Sequence, residues 1–135
     1  MIKNVIDIEG IGPKYAEKLE AVGIVTIQEL LDKGANASGR KALEEATGID
    51  GKRILDWIGM ADLFRVSGVG KQFAELLKAA GVDTVKELRT RNAENLQEKL
   101  EATNEEKALT RAVPALAQVE DWIRQAQELE ARLTY

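Results

Sequence analysis

The sequence predicts an all-α protein built from two tandem helical units. Three observations predict this fold: apolar residues at helical spacing, residues typical of helix ends, and a pattern that occurs twice along the chain. The 135 residues are 44% apolar and 31% charged, with a formal net charge of −4. This composition provides for a buried core and differs from that of disordered, like-charged chains.

The repeated pattern centres on a Gly-x-Gly turn. Residues 8–19 match residues 66–77, and the match continues through a later glycine and a Thr-x-x-Glu sequence. An Asp-Trp-Ile sequence then follows in each copy, after an insertion in the second. The matched glycine pairs are Gly10 with Gly68, Gly12 with Gly70, and Gly23 with Gly81.

The repetition predicts two units, residues 1–60 and residues 61–135, the second with an extended C-terminal helix. Each is expected to contain about five helices and one Gly-x-Gly turn. Because no Pro- or Ser-rich linker joins them, we expect the two units to pack as one body.

The first helix of each unit follows the glycine turn. Pro13 suits a first helical position, where a missing N–H has no consequence, and Gly23 and Gly81 suit left-handed C-caps. Apolar residues between these points recur at i, i+3, i+4 and i+7, which predicts one buried helix face. They are Tyr15, Ala16, Leu19 and Val22 in the first copy, and Phe73, Ala74, Leu77 and Ala80 in the second.

The later helices are predicted from their caps and breaks. The two capping-box sequences are Thr26 with Glu29 and Thr84 with Glu87. Breaks are expected at Gly48, Gly51 and Asn104, and Pro114 is expected to open the last helix. The remaining predicted helices lie near residues 38–47, 50–64, 92–102, 104–112 and 114–132.

The lack of cysteine and histidine excludes several kinds of chemistry. No disulfide, thiolate nucleophile, or Cys- or His-ligated metal site can form, and a Ser-His-Asp arrangement is impossible. Carboxylate-based activity stays open, but we expect no enzyme, no catalytic residue, no metal site and no cofactor. No stretch has the roughly 20 apolar residues of a membrane span, so a cytoplasmic protein without a membrane partner is predicted.

The glycine turn and its flanking apolar residues resemble the helix–hairpin–helix motif. In the first copy the resemblance rests on Val5, Ile8, Gly10, Ile11, Gly12, Ala16 and Leu19. In the second it rests on Leu63, Val66, Gly68, Val69, Gly70, Ala74 and Leu77. With the Thr-x-x-Glu continuation, each half is similar to the helix–hairpin–helix N-terminal domain of archaeal recombinases. Over nearly its whole length the chain resembles an uncharacterised bacterial domain-of-unknown-function family of tandem helix–hairpin–helix proteins.

The resemblance implies that the turns bind the backbone of double-stranded DNA without regard to sequence, sometimes with a monovalent cation. The phosphate-binding residues it implies are Gly10, Gly12, Lys14, Gly68, Gly70, Lys71 and Gln72. Ile11 and Val69 are expected to point inward. The residues themselves suit this role, because glycines admit a phosphate close to the backbone and a helix N-terminus offers unsatisfied N–H groups and a positive dipole.

The second turn is the stronger candidate for an anion site. Glu9 places a carboxylate beside the first turn, where the second turn has Ser67. Further basic contacts are predicted close to the second turn. They are Arg65, Lys86, Arg89 and Arg91.

The alternative function is a protein-interaction or architectural module that does not bind nucleic acid. The net charge of −4 favours it, because backbone binding draws on counterion release at a basic surface. The last helix has an apolar stripe that suits packing on its own unit or pairing with a second subunit, so monomer and dimer both stay open. The stripe consists of Leu116, Val119, Ile123, Ala126 and Leu133.

The left-handed C-caps generate a test of the fold. We expect Gly81→Val to lower the free energy of unfolding by more than the roughly 0.5 kcal/mol typical of a surface change, because a β-branched residue resists positive φ. Urea unfolding followed by circular dichroism measures the loss. A neutral result would mean that the helix does not end there.

Overall fold

The computed structural model describes residues 3–135, and the described chain is all-helical, as predicted. A 3-10 helix, Val5–Asp7, precedes eight α-helices. They are α1 (Pro13–Glu20), α2 (Ile27–Gly34), α3 (Ala37–Thr47), α4 (Gly51–Leu63), α5 (Lys71–Ala79), α6 (Val85–Leu88), α7 (Ala93–Lys107) and α8 (Leu116–Glu128). The described residues thus form nine helices in all, one of them a 3-10 helix.

The chain divides into two compact units. The first ends at Asp62 and also includes Arg132–Tyr135, and the second is Leu63–Ala131. In the first unit, α1 packs on the 3-10 helix and α2 packs on α3. In the second, α7 packs on α5 and on α8, and α6 packs on α8.

Each unit buries an apolar core of its own, with one tryptophan in it. Trp57 in the first unit is 4% exposed and Trp122 in the second is 1% exposed, which confirms both as core residues. Tyr15 packs edge-on against Trp57, and Phe73 packs edge-on against Trp122, with ring centroids 5.1 and 5.3 Å apart. Such edge-to-face pairs add about 0.5–1.5 kcal/mol beyond the area they bury.

The predicted left-handed helix ends are confirmed. Gly23 has a φ of +83° and Gly81 a φ of +97°. Beyond Gly81, the Val82 N–H donates to the Leu77 carbonyl over 2.8 Å, which is the long hydrogen bond of a Schellman motif. Glycine is favoured at these positions because a Cβ is strained at such φ values.

Only the first of the two predicted capping boxes forms completely. The Glu29 N–H donates to the Thr26 hydroxyl (3.1 Å), and the Thr26 N–H donates to the Glu29 carboxylate (2.9 Å). In the second, Thr84 accepts from the Glu87 N–H over 3.1 Å, but the Glu87 carboxylate accepts from Arg91 over 2.9 Å. The prediction of the second box is therefore wrong for the Glu87 side chain. Its carboxylate binds the Arg91 guanidinium one turn further on, which is a charge-assisted partner.

The predicted break at Asn104 and the separate helix over 104–112 are wrong. Helix α7 continues through Asn104 to Lys107, and the chain leaves it at Ala108 with a φ of +49°. Asparagine is tolerated here because its side chain pairs with the following loop. It accepts from the Thr110 N–H (2.9 Å) and donates to the Thr110 carbonyl (3.1 Å).

Helix α8 is shorter than the predicted 114–132, so the C-terminal helix is not extended. It begins at Leu116, and Pro114 precedes it as part of the loop. After Glu128 the chain is not helical, because two arginines of the second unit bind carbonyls there. Arg89 donates to the Leu129 carbonyl, and Arg65 donates to the Glu130 carbonyl over 2.7 Å.

The last four residues pack within the first unit. Arg132 forms an ion pair with Asp32 at 2.6 Å, and Arg40 donates to the Thr134 carbonyl over 2.5 Å. The Thr134 N–H donates to the Ala35 carbonyl over 2.8 Å. Hydrogen bonds from Arg132 and then Gln28 hold the pKa of the Asp32 carboxyl below its usual value.

The complete capping box makes part of the stability depend on pH. Hydrogen bonds from the N–H groups of Thr26 and Val25 hold the pKa of Glu29 below its usual value of 4.5. The resulting stabilisation is complete above that value and is lost as pH falls through the lower folded-state pKa. We expect Glu29→Gln to lower the free energy of unfolding near pH 7 and to have a smaller effect near pH 2.5.

Urea unfolding at the two pH values measures this difference. The control is Glu45→Gln, which removes an exposed carboxylate from α3. Equal effects of Glu29→Gln at both pH values would contradict the assignment of Glu29.

Candidate functional site

The two Gly-x-Gly sequences form turns with the same backbone conformation. The first glycine turn comprises residues 8–12 and leads into α1; the second comprises residues 66–70 and leads into α5. Gly10 has a φ of +92° and Gly68 a φ of +94°, a region that only glycine adopts without strain. The central residues Ile11 and Val69 are 4% and 6% exposed, which confirms that they point inward.

The final glycine of each turn is not required by backbone conformation. Gly12 has a φ of −87° and Gly70 a φ of −93°, both accessible to any L-residue. A Cβ at either position would meet no described atom within 4 Å outside its chain neighbours. Both glycines are helix N-caps without a side-chain hydrogen bond, whereas Ser, Thr or Asp would supply an acceptor there. Because glycine has no side chain to cap the helix, no N-cap side chain binds the first N–H groups.

Helix starts of this kind attract anions. The first N–H groups of an α-helix have no acceptor within the helix, and its dipole places about half a positive charge at that end. In the second unit the first regular bond of α5 runs from the Ala74 N–H to the Gly70 carbonyl. Lys71 adds a cationic side chain at the first helical position, and both Lys71 and Gln72 are exposed.

A tryptophan lies beneath the second turn and leaves its polar atom without a partner. The Trp122 Nε1 lies 3.1 Å from the position that a Cβ on Gly68 would occupy. That nitrogen is buried and has no hydrogen-bond partner among the described residues. An unsatisfied buried donor costs about 1–3 kcal/mol. In the first unit, the Trp57 Nε1 lies 3.4 Å from the corresponding position on Gly10.

Gln125 fixes the second turn in place. Its side-chain oxygen accepts from the Ser67 N–H (2.8 Å), and its nitrogen donates to the Ser67 carbonyl (3.1 Å) and to Asp121 (2.9 Å). Hydrogen bonds from Gln125 and then Arg124 hold the pKa of the Asp121 carboxyl below its usual value. Asp121 is thus ionised at neutral pH, with Arg124 as its ion-pair partner.

A groove of about 620 Å³ opens beside the second turn within the second unit. Two segments line it: the turn with the start of α5, and residues 110–112 of the loop between α7 and α8. The lining residues are Gly68, Gly70, Lys71, Gln72, Phe73, Thr110, Arg111 and Ala112. The structure thus brings four predicted site residues together in one groove and adds Arg111, which was not predicted from the sequence.

The predicted residues of the first turn lie on the first unit's own surface. Gly10, Gly12 and Lys14 are exposed, and so is Glu9 beside them. Arg53 lies over the Tyr15 ring, with its guanidinium carbon 5.6 Å from the ring centroid.

Three of the four additional basic residues bind the protein itself. Arg65 and Arg89 hold carbonyls of the segment after α8, and Arg91 donates to the Gly81 carbonyl over 3.0 Å and to Glu87. Lys86 is exposed on α6. The interactions of these arginines stabilise the second unit, so proximity in sequence to the turn is not a sufficient criterion for a ligand contact.

The described residues contain no cluster of three or more acidic side chains arranged to hold a metal ion. At and just before the second turn, the carbonyls of Leu63 and Val66 accept the amides of Val66 and Val69, each over 3.1 Å. The donors that the groove offers, amide N–H groups and cationic side chains, suit an anion. Among residues 3–135, every helix is too short or too polar to cross a membrane.

Comparison with known proteins gives one family. The family model "Domain of unknown function (DUF4332)" matches residues 9–129. The chain belongs to this family. The match covers both Gly-x-Gly sequences and confirms the resemblance to an uncharacterised domain family. No curated protein and no solved structure matches the chain.

The two glycines of the second turn are expected to respond differently to alanine. Gly68→Ala should lower the free energy of unfolding by about 1–2 kcal/mol or more, because it introduces a Cβ at positive φ and 3.1 Å from the Trp122 nitrogen. Gly70→Ala should change stability by about 1 kcal/mol or less, because its φ is ordinary and the space is open. Urea unfolding compares them. Equal losses would show that Gly70 has a structural role.

Proposed function

We propose that this protein is a non-enzymatic DNA-binding module of the cytoplasm, formed by internal duplication of a helix–hairpin–helix unit. It binds the phosphate backbone without regard to base sequence. The observation that carries the proposal is Gly70, which is a bare helix N-cap beside a cationic groove and is required neither by backbone conformation nor by packing.

Backbone binding of this kind requires little side-chain chemistry. A phosphate oxygen accepts from N–H groups at the start of α5, where the helix dipole favours negative charge. Lys71 supplies a counter-charge at the same position. Since every nucleotide carries the same phosphate, contacts of this type position a strand and carry no sequence information.

The second turn is proposed as the principal site. Its groove is lined by two cationic side chains, Lys71 and Arg111. Gln125 holds its backbone through both hydrogen bonds to Ser67, so the turn is preorganised for a ligand. The first turn has Lys14 but also the exposed carboxylate of Glu9, which opposes an approaching phosphate.

The alternative proposal is a protein-interaction module on the same scaffold. Ile6 and Val25 favour it, because they are 47% and 46% exposed on the first unit, and large apolar side chains at a surface can mark a contact with another protein. The net charge of −4 also favours it over DNA. Under this alternative, charge reversal at the second turn has no effect on binding to a partner.

The test is fluorescence anisotropy of labelled random-sequence duplex DNA titrated with the full chain at low salt. We expect Lys71→Glu to weaken binding by about tenfold or more, because it replaces attraction with repulsion at a phosphate. The matched variant Lys14→Glu should have a smaller effect. Loss of Lys71 should also reduce the log–log salt slope by about one.

The outcomes distinguish the two proposals. Wild-type protein that fails to bind duplex at tens of micromolar concentration, or that binds as well with Lys71→Glu, would refute the DNA proposal. Equal losses from the two variants would refute the assignment of the second turn as principal site.

A further inference from the structure

We infer that the groove beside the second turn binds one phosphodiester segment of a nucleic-acid strand, phosphate and adjoining sugar together, with Arg111 as a binding residue. The inference rests on the proposed function and adds to it the unit of ligand that is held and a residue from outside the turn. Arg111 lies about forty residues beyond the turn in the sequence and meets it only in the folded unit.

The two segments that line the groove provide complementary surfaces for such a segment. Lys71 and Arg111 are both exposed and each presents a cationic group. A guanidinium can bind two phosphate oxygens at once, which an ammonium cannot do in the same geometry. Phe73 and Ala112 also line the groove and add apolar surface to it, which suits the C–H faces of a sugar ring.

The loop that carries Arg111 is held in shape. Asn104 makes two hydrogen bonds to the backbone of Thr110, and the Thr110 hydroxyl donates to the Ala112 carbonyl over 2.8 Å. These bonds fix the residues on both sides of Arg111 while its own side chain stays exposed. Little conformational entropy of the loop backbone would therefore be lost when Arg111 binds a phosphate.

Trp122 lies beneath the glycine turn and does not itself line the groove. It is 1% exposed, and its Nε1 lies without a hydrogen-bond partner against Gly68, one of the residues that line the groove. Buried polar groups in folded proteins are generally paired. Because this N–H lies directly beneath the backbone of Gly68, its NMR signal reports on a ligand bound at the turn.

The size of the groove favours a strand over a small ion. The groove has a volume of about 620 Å³, whereas a single water occupies about 30 Å³ in the liquid, so one small ion fills only part of it. Inorganic phosphate would leave the apolar surface of Phe73 and Ala112 uncovered, so we expect it to bind much more weakly than an oligonucleotide.

The experiment uses the full-length chain labelled with ¹⁵N and two titrants, a short single-stranded oligothymidylate and inorganic phosphate. The chain has two tryptophans, one under each turn, so two indole N–H signals report the two sites separately. We expect the oligonucleotide to shift the Trp122 signal at concentrations that leave the Trp57 signal unchanged. Inorganic phosphate should need a concentration higher by about tenfold or more.

The variants test Arg111 itself. We expect Arg111→Ala to weaken oligonucleotide binding by about tenfold, the usual effect of losing a charge-assisted hydrogen bond, and Arg111→Lys to restore it in part. The matched control is Lys99→Ala, which removes an exposed positive charge from α7 in the same unit outside the groove. Asn104→Ala should weaken binding less than Arg111→Ala, because it loosens the loop and leaves the guanidinium present.

Failure of the inference and failure of the proposed function give different results. If the wild type binds neither duplex nor oligonucleotide, both are refuted. If it binds, and Lys71→Glu abolishes binding while Arg111→Ala equals Lys99→Ala, only the inference is refuted. A shift of the Trp57 signal in place of the Trp122 signal, or equal affinities for inorganic phosphate and oligonucleotide, would also overturn it.

Discussion

The candidate site depends on one contact, the packing of the Trp122 ring against Gly68, where there is no side chain. In the second unit, Gly68 has positive φ, and the Trp122 nitrogen lies 3.1 Å from where a Cβ on Gly68 would be. A residue with a side chain at that position would strain the backbone and displace the ring. The contact thus joins the turn to the core through α8, and the geometry of the site follows from the packing of that core.

The two glycines of the second turn have different roles. Gly68 serves the fold, while Gly70 is an N-cap whose conformation and surroundings would accept other residues. The electrostatic consequence is a local positive end on a chain with a net charge of −4. Local donors outweigh that net charge at contact distance, because the charges of distant carboxylates are screened beyond about 10 Å in dilute salt.

The sequence predicted the fold more reliably than it predicted which basic residues face a ligand. The helix ends at Gly23 and Gly81, the reciprocal cap at Thr26, and the buried tryptophans all follow from local chemistry. Arg65, Arg89 and Arg91 instead bind carbonyls of their own unit, and those acceptors become adjacent only after folding. A basic residue in the sequence identifies a hydrogen-bond donor, but the tertiary structure determines which acceptor it meets.

By itself the sequence determined the helical class, the paired glycine turns and the absence of thiol and imidazole chemistry, since each depends on residue identity and near-neighbour spacing. Only the tertiary structure decided that Arg111 joins Lys71 in one groove, that α8 ends at Glu128, and that the last four residues pack with the first unit. These outcomes depend on contacts between residues far apart in the chain. Local propensity contains no information about such contacts, because their energy arises only when the core brings the segments together.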